Sequence, residues 1–78
     1  MSAVFLELAD GRVTVGFRCY PPYDASEVAR AFGGGGHRQA SGCTIDGPLD
    51  TAEALVVARC QTAIRQQKAG AAKNGAFG

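Results

Sequence analysis

The chain has 78 residues, a formal net charge of +1, and 46% hydrophobic against 19% charged residues. These values describe one small domain with a thin core, too apolar to stay disordered, with no apolar run approaching the roughly 18 residues of a membrane span. They also exclude a strongly basic nucleic-acid cloak, although all seven acids precede Ala54 and the C-terminal third, with Arg59, Arg65, Lys68 and Lys73, is locally basic. The N-terminus lacks the basic start, apolar centre and small-residue cleavage site of a secretory signal, so a cytoplasmic location is expected.

Taken in chain order, Val4, Leu6 and Leu8 alternate with Phe5 and Glu7. Val13, Val15, Phe17 and Cys19 alternate with Thr14, Gly16 and Arg18. This is the period of half-buried strands, and Asp10-Gly11 between them is a preferred two-residue hairpin turn with positive φ at both positions. The alternation sends Arg18 to the face opposite Val15, Phe17 and Cys19, where its charge stays out of the core. Pro21-Pro22 ends the second strand. Asp24 and Glu27 have capping-box spacing before the short apolar stripe of Val28, Ala31 and Phe32, which predicts a helix of about two turns capped by Gly33.

Beyond that cap come Gly34, Gly35 and Gly36, the only histidine of the chain, His37, and then Arg38. A further helical turn is expected over His37 to Ser41. Cys43 to Asp46 reads as a brief strand closed by Gly47-Pro48. Asp50 and Glu53 then repeat the capping spacing and open the longest helix, with Ala52, Val56, Val57, Cys60, Ala63 and Ile64 as its apolar stripe. The periodicity ends at Lys68, so residues 1–68 read as the domain and 69–78 as a flexible tail. The order predicts an α/β fold, a small two-layer sandwich in which a hairpin-led sheet carries its helices on one face.

Bare glycine backbone admits a ligand directly against the chain and lets amides converge on an anion. Free N–H groups of a helical turn starting at His37 would add donors at the same spot, with Arg38 as a bidentate fork for phosphate and His37 as a second side-chain donor. The same glycines also suit a plain flexible connection, and from the residues alone both readings stand. The run fits neither a nucleotide P-loop, which needs Lys then Ser or Thr after the last glycine, nor a dinucleotide fingerprint, since it follows a helix. Cys19, Cys43 and Cys60 sit singly among apolar neighbours, as buried thiols do, and not in zinc or disulfide spacing. Cys43 with His37 does not make a nucleophile pair, because a thiol inside a strand lacks an oriented base.

Phe17-Arg18-Cys19, Asp24 to Phe32, GGGGHRQASG, Cys43-Thr44-Ile45 and the closing amphipathic helix together resemble the DHH-associated C-terminal domain of the Asp-His-His (DHH) phosphoesterase superfamily. The likeness runs from about Val4 to about Gln66. That superfamily includes oligoribonucleases that also dephosphorylate 3'-phosphoadenosine 5'-phosphate, cyclic-dinucleotide phosphodiesterases and RecJ-type exonucleases. The resemblance implies a domain that grips short RNA, DNA or a nucleotide phosphoester across a cleft from an N-terminal DHH catalytic domain, which holds a manganese pair. It places Gly34, Gly35, Gly36 and His37 on the substrate phosphate or sugar and Arg18 in the same cleft, with Arg38, just after the motif, as a further and weaker substrate-binding candidate. No catalytic residue and no metal ligand falls within this chain, which has one histidine and no DxD or DHH sequence. Cys19 stands where the family usually has serine, and Ser41 where it has a second alanine. The alternative is RNA binding without hydrolysis, akin to the glycine-rich C-terminal domain of alanyl-tRNA synthetases. There the glycines usually precede Arg-Pro, so His37 favours the phosphoesterase branch.

Overall fold

In a computed structural model, the backbone is described for residues 1–75 and the side chains for residues 1–69. The elements are β1 (Ser2–Glu7), β2 (Arg12–Arg18), α1 (Ala25–Ala31), β3 (Gly35–Gly36), β4 (Ala40–Asp46) and α2 (Leu49–Gly75). The strands form one antiparallel sheet in the order β1-β2-β4-β3, with both helices packed on one face, as the two-layer α/β reading requires. β2 supplies the centre of the core. Val13, Val15 and Phe17 are buried against Val28 and Ala29 of α1 and Ala52, Val56 and Ala63 of α2. Each fully buried side chain of that size contributes about 1.5–3 kcal/mol relative to exposure.

The first hairpin forms where expected, but β1 turns Ala3 and Phe5 toward the core and leaves Val4 and Leu6 exposed, the reverse of the row the alternation favoured, because Ala3 and Phe5 pair with Phe17 and Val15 on the helix side. Its turn also differs from the sequence expectation. Among the described residues, none other than glycine has positive φ, and here only Gly11 does, at +89°. Gly11 N–H donates to Leu8 O at 3.0 Å and Leu8 N–H to Arg12 O at 2.7 Å, so the loop is the three-residue kind, with glycine at its left-handed position. Asp10 is thereby free to act as a side-chain clamp, accepting from Arg12 N–H at 3.1 Å and from Arg12 Nε at 2.8 Å. These bonds hold its carboxyl below the usual aspartate range.

Asp24 is the N-cap of α1 as expected, its carboxylate accepting from Ser26 N–H at 2.9 Å and from the Ser26 hydroxyl. Glu27 does not close the expected capping box. Gln67 of α2 takes over: its Oε1 accepts from Asp24 N–H at 2.8 Å, and its Nε2 donates to Asp24 O at 2.9 Å and Glu27 Oε2 at 3.0 Å. A single carboxamide thus ties α2 to the start of α1. The helix ends in a Schellman turn, with Gly33 at φ +82° donating to Arg30 O at 3.0 Å and Gly34 donating to Ala29 O at 2.8 Å.

Three further differences follow from packing. The helical turn expected over His37 to Ser41 is absent, and β4 begins at Ala40. His37 N–H donates to Ala40 O at 2.8 Å and Ala40 N–H to His37 O at 3.2 Å, making a tight β-hairpin turn between β3 and β4. Val57 is exposed, because the buried side of α2 runs through Ala52, Val56 and Ala63. α2 also continues as helix to Gly75, past Lys68, since alanine-rich sequence holds a helix without an apolar stripe. Residues 76–78 of the expected tail lie outside the described residues.

Two predictions follow. The Ser41 hydroxyl is buried without a hydrogen-bond partner, and an unsatisfied buried polar group typically costs about 1–3 kcal/mol. Ser41→Ala is expected to stabilise the fold by about 1 kcal/mol in chemical denaturation. Asp24, chiefly through the Ser26 hydroxyl and further through Ser26 N–H, Arg38 and Arg30, is held below its ordinary 3.8. A lowered carboxyl stabilises the fold above the unfolded-state value and loses that contribution as pH falls below about 5 and on through the folded one. The melting temperature of the wild type is expected to fall more steeply over that window than that of Asp24→Asn, which keeps a capping side chain but cannot titrate; parallel curves would contradict it.

Candidate functional site

The pleat sends alternate residues of each strand to opposite faces, and the face away from the helices has an unusual surface. Val4 pairs with Gly16, Gly16 with Gly42, and Gly42 with Gly35. Three glycines therefore lie side by side across β2, β4 and β3, a strip of bare backbone about 10 Å wide at ordinary strand spacing. The neighbouring row on one side carries Leu6, Thr14 and Thr44, with the two threonine hydroxyls 3.4 Å apart. The row on the other side carries Ser2, Arg18 and Ala40, and His37 completes it through its paired bonds with Ala40. The result is a trough of about 370 Å³ lined by residues that include Val4, Gly16, Arg18, Gly35, Gly36 and Gly42.

The glycines of the 33–36 run have different reasons to be there. Gly33 needs its positive φ for the helix cap. A Cβ on Gly34 would fall 2.7 Å from the Cys43 Cβ and against Gly42 O, and Gly36, at φ +137°, would place one 2.7 Å from Ser41 Cα. These two let the run lie flat on β4. Gly35 has ordinary strand φ and open space where its Cβ would be, and the same holds for Gly16. Nothing in the fold forbids a side chain at either position, yet each faces the trough.

The structure brings together some of the sequence candidates. Arg18, Gly35 and Gly36 line the trough, Gly34 lies beneath it against Cys43, and His37 stands at the exposed end of the Arg18 row. Arg38 points elsewhere, its Nε 3.6 Å from Asp24 Oδ2, and its side chain is largely exposed. Arg12, Arg30 and Arg65 are likewise engaged, by Asp10, Ser26 and Thr62. Among the described residues, the Arg18 guanidinium has no such partner and borders the trough unneutralised. Because no helix begins at His37, the helix-terminal donors expected there do not exist, and the positive charge of the site comes from side chains.

The sequence reading passed over Gly16 and Gly42. The signal was present in Gly16, since a glycine between Val15 and Phe17 in an alternating strand marks a bulge or a close approach of something to the backbone. Burial, and secondarily Cys60, pushes the Cys43 thiol up, and burial pushes Cys60 up, which disfavours the thiolate at both. Among the described residues, no three His, Cys, Asp or Glu side chains come together as a metal site. The described residues offer no ligand set of the kind a manganese pair requires.

A sequence model of the DHHA1 domain matches residues 1–65. The chain belongs to the DHHA1 domain family. That span covers the whole sheet, α1 and most of α2. DHHA1 domains are associated with DHH-family phosphoesterases and normally partner a DHH catalytic domain. No curated protein matches the chain. No helix among the described residues is long and apolar enough to cross a membrane.

The glycine geometry generates a paired prediction for this DHHA1 domain. Gly35→Ala and Gly16→Ala are expected to fold with unchanged or slightly raised stability, as a compatible Gly→Ala replacement restricts the unfolded chain by about 0.4–1 kcal/mol. Gly34→Ala and Gly36→Ala are expected to lose more than that, because each needs movement of β4 backbone or meets a φ closed to alanine. Denaturation midpoints of the four variants check the contrast, and equal losses at Gly34 and Gly35 would refute it.

Proposed function

We propose that this DHHA1 domain is the substrate-binding half of a metal-dependent phosphoesterase acting on short oligonucleotides or related phosphoesters, with the metals, manganese by family resemblance, in the partnering DHH domain. The observation that carries the reading is the row Gly16, Gly42 and Gly35 beside the unpaired Arg18. A strip of backbone without side chains lets a ribose or base lie flat on the sheet. A guanidinium at its border supplies a charge-assisted, bidentate grip on phosphate.

Gly35 and Gly36 form part of the floor, and Gly34 keeps that floor close to β4. His37, placed in the Arg18 row, adds a donor at the outer end of the same phosphate site. The chain supplies binding and orientation, and bond cleavage belongs to the catalytic domain. Holding the phosphate still against that domain is a contribution to rate as well as to affinity.

The test is kinetic. In the enzyme formed with its DHH domain, Arg18→Ala and His37→Ala are each expected to raise KM for a short oligonucleotide about tenfold, since hydrogen bonds to charged groups are worth about 1.5–3 kcal/mol. The double variant is expected to lose less than the summed free energies, because the two donors share one phosphate. Strictly additive losses, or unchanged kinetics for Arg18→Ala, would overturn the assignment.

A further inference from the structure

A second cavity, of about 390 Å³, is bounded by Met1, Ser2, Arg18, Cys19, Tyr20 and Gln39. Arg18 borders both this cavity and the trough, so two spaces of similar size share it as a lining residue. The alternation of β2 carries on past its last residue. Cys19 is buried, its N–H donating to Gln39 O at 3.2 Å and its single thiol proton shared between Tyr23 O at 3.3 Å and Arg38 O at 3.2 Å. Anchoring Cys19 inward turns Arg18 and Tyr20 outward as neighbours, about 7 Å apart along an extended chain.

The Tyr20 side is preformed. Tyr23 N–H donates to Tyr20 O at 3.0 Å and closes a tight turn, which fixes the backbone that carries the ring, yet Tyr20 is 86% exposed. An exposed aromatic residue alone needs no explanation. This one shares a cavity with an unneutralised guanidinium and with Gln39, whose carboxamide both donates and accepts. A π-face, a cation for phosphate and an amide for a base edge are the groups that hold a nucleotide in single-stranded nucleic acid.

We propose that this cavity is a second nucleotide subsite, in which the base beyond the phosphate held by Arg18 stacks on the Tyr20 ring. The proposal rests on the reading of the trough as a nucleotide site and extends it. The ligand is single-stranded and spans at least two nucleosides, one over the glycine row and one on Tyr20, with the linking phosphodiester on Arg18. A base still paired in a duplex has no free face to lay on the ring, so single strands are the class selected. The stack is sequence-tolerant, because every base presents a π-face, while Gln39 supplies whatever preference the second base shows.

The experiment is an NMR titration of the 78-residue chain with the dinucleoside monophosphate ApA and, as controls with the same single diester charge, the methyl esters of adenosine 3'- and 5'-monophosphate. ApA is expected to bind about tenfold more tightly than the better methyl ester. Tyr20→Ala is expected to erase that advantage while leaving methyl-ester binding unchanged, Tyr20→Phe to retain it, and Arg18→Ala to weaken both kinds of ligand. Equal affinities in the wild type, or an ApA advantage that survives Tyr20→Ala, would overturn the second subsite and leave the trough reading in place. Binding of neither ligand by the wild type, or indifference to Arg18→Ala, would overturn the trough reading and the subsite with it. Amide spectra report whether each variant is folded, and Tyr20→Phe, which keeps the ring and its packing, carries the comparison if the alanine variant is not.

Discussion

The burial of Val13, Val15 and Phe17 against two helices decides where everything else on the sheet can point. Because the strand period is two, a one-residue slip of β2 would expose all three and bury Gly16 and Arg18 in their place. The core therefore fixes the open face as firmly as it fixes itself. Register then passes this choice across the sheet: once Gly16 faces outward, its partners Val4 and Gly42 share its side, and Gly35 follows from Gly42. The open face is the obligatory reverse of the hydrophobic one.

That coupling explains why the two sides tolerate change so differently. On the helix side, the close approach of Gly34 and Gly36 to β4 leaves no room for a methyl group, and Ser41 is held there with its hydroxyl unsatisfied. On the open side, Gly16 and Gly35 meet nothing at all, while Gly42 between them would set a Cβ 2.9 Å from Val15 O. A side chain that folding does not forbid, at a position that faces a cavity, is the pattern left by a requirement for space. The Schellman turn at Gly33 joins the two regimes, since it ends α1 and delivers the run directly onto β4.

The strands of the first hairpin, the N-cap at Asp24, the cap at Gly33 and the buried stripe of α2 were legible because each rests on local periodicity or a local hydrogen bond. Arg18 was legible for the same reason. What was hidden depended on partners distant in sequence. β3 is two glycines with no strand propensity, and it exists only because β4 pairs with it. Glu27 carried the capping signature, but Gln67 met the same backbone donor, Asp24 N–H, from 43 residues away, and local pattern cannot anticipate that competitor. The glycine row could not be read at all from one strand, since its members come from three.

The strand order gives the sheet two unequal borders. β3 offers a neighbour a ladder only two residues long, while β1 runs from Ser2 to Glu7 with no strand on its outer side among the described residues and with Val4 and Leu6 uncovered. A visiting strand, from whatever chain, would add at β1, because only there are enough consecutive donors and acceptors available. Such an addition would not roof the glycine strip. It would extend the row that begins at Val4 by one more residue, widening the platform at the end farthest from His37.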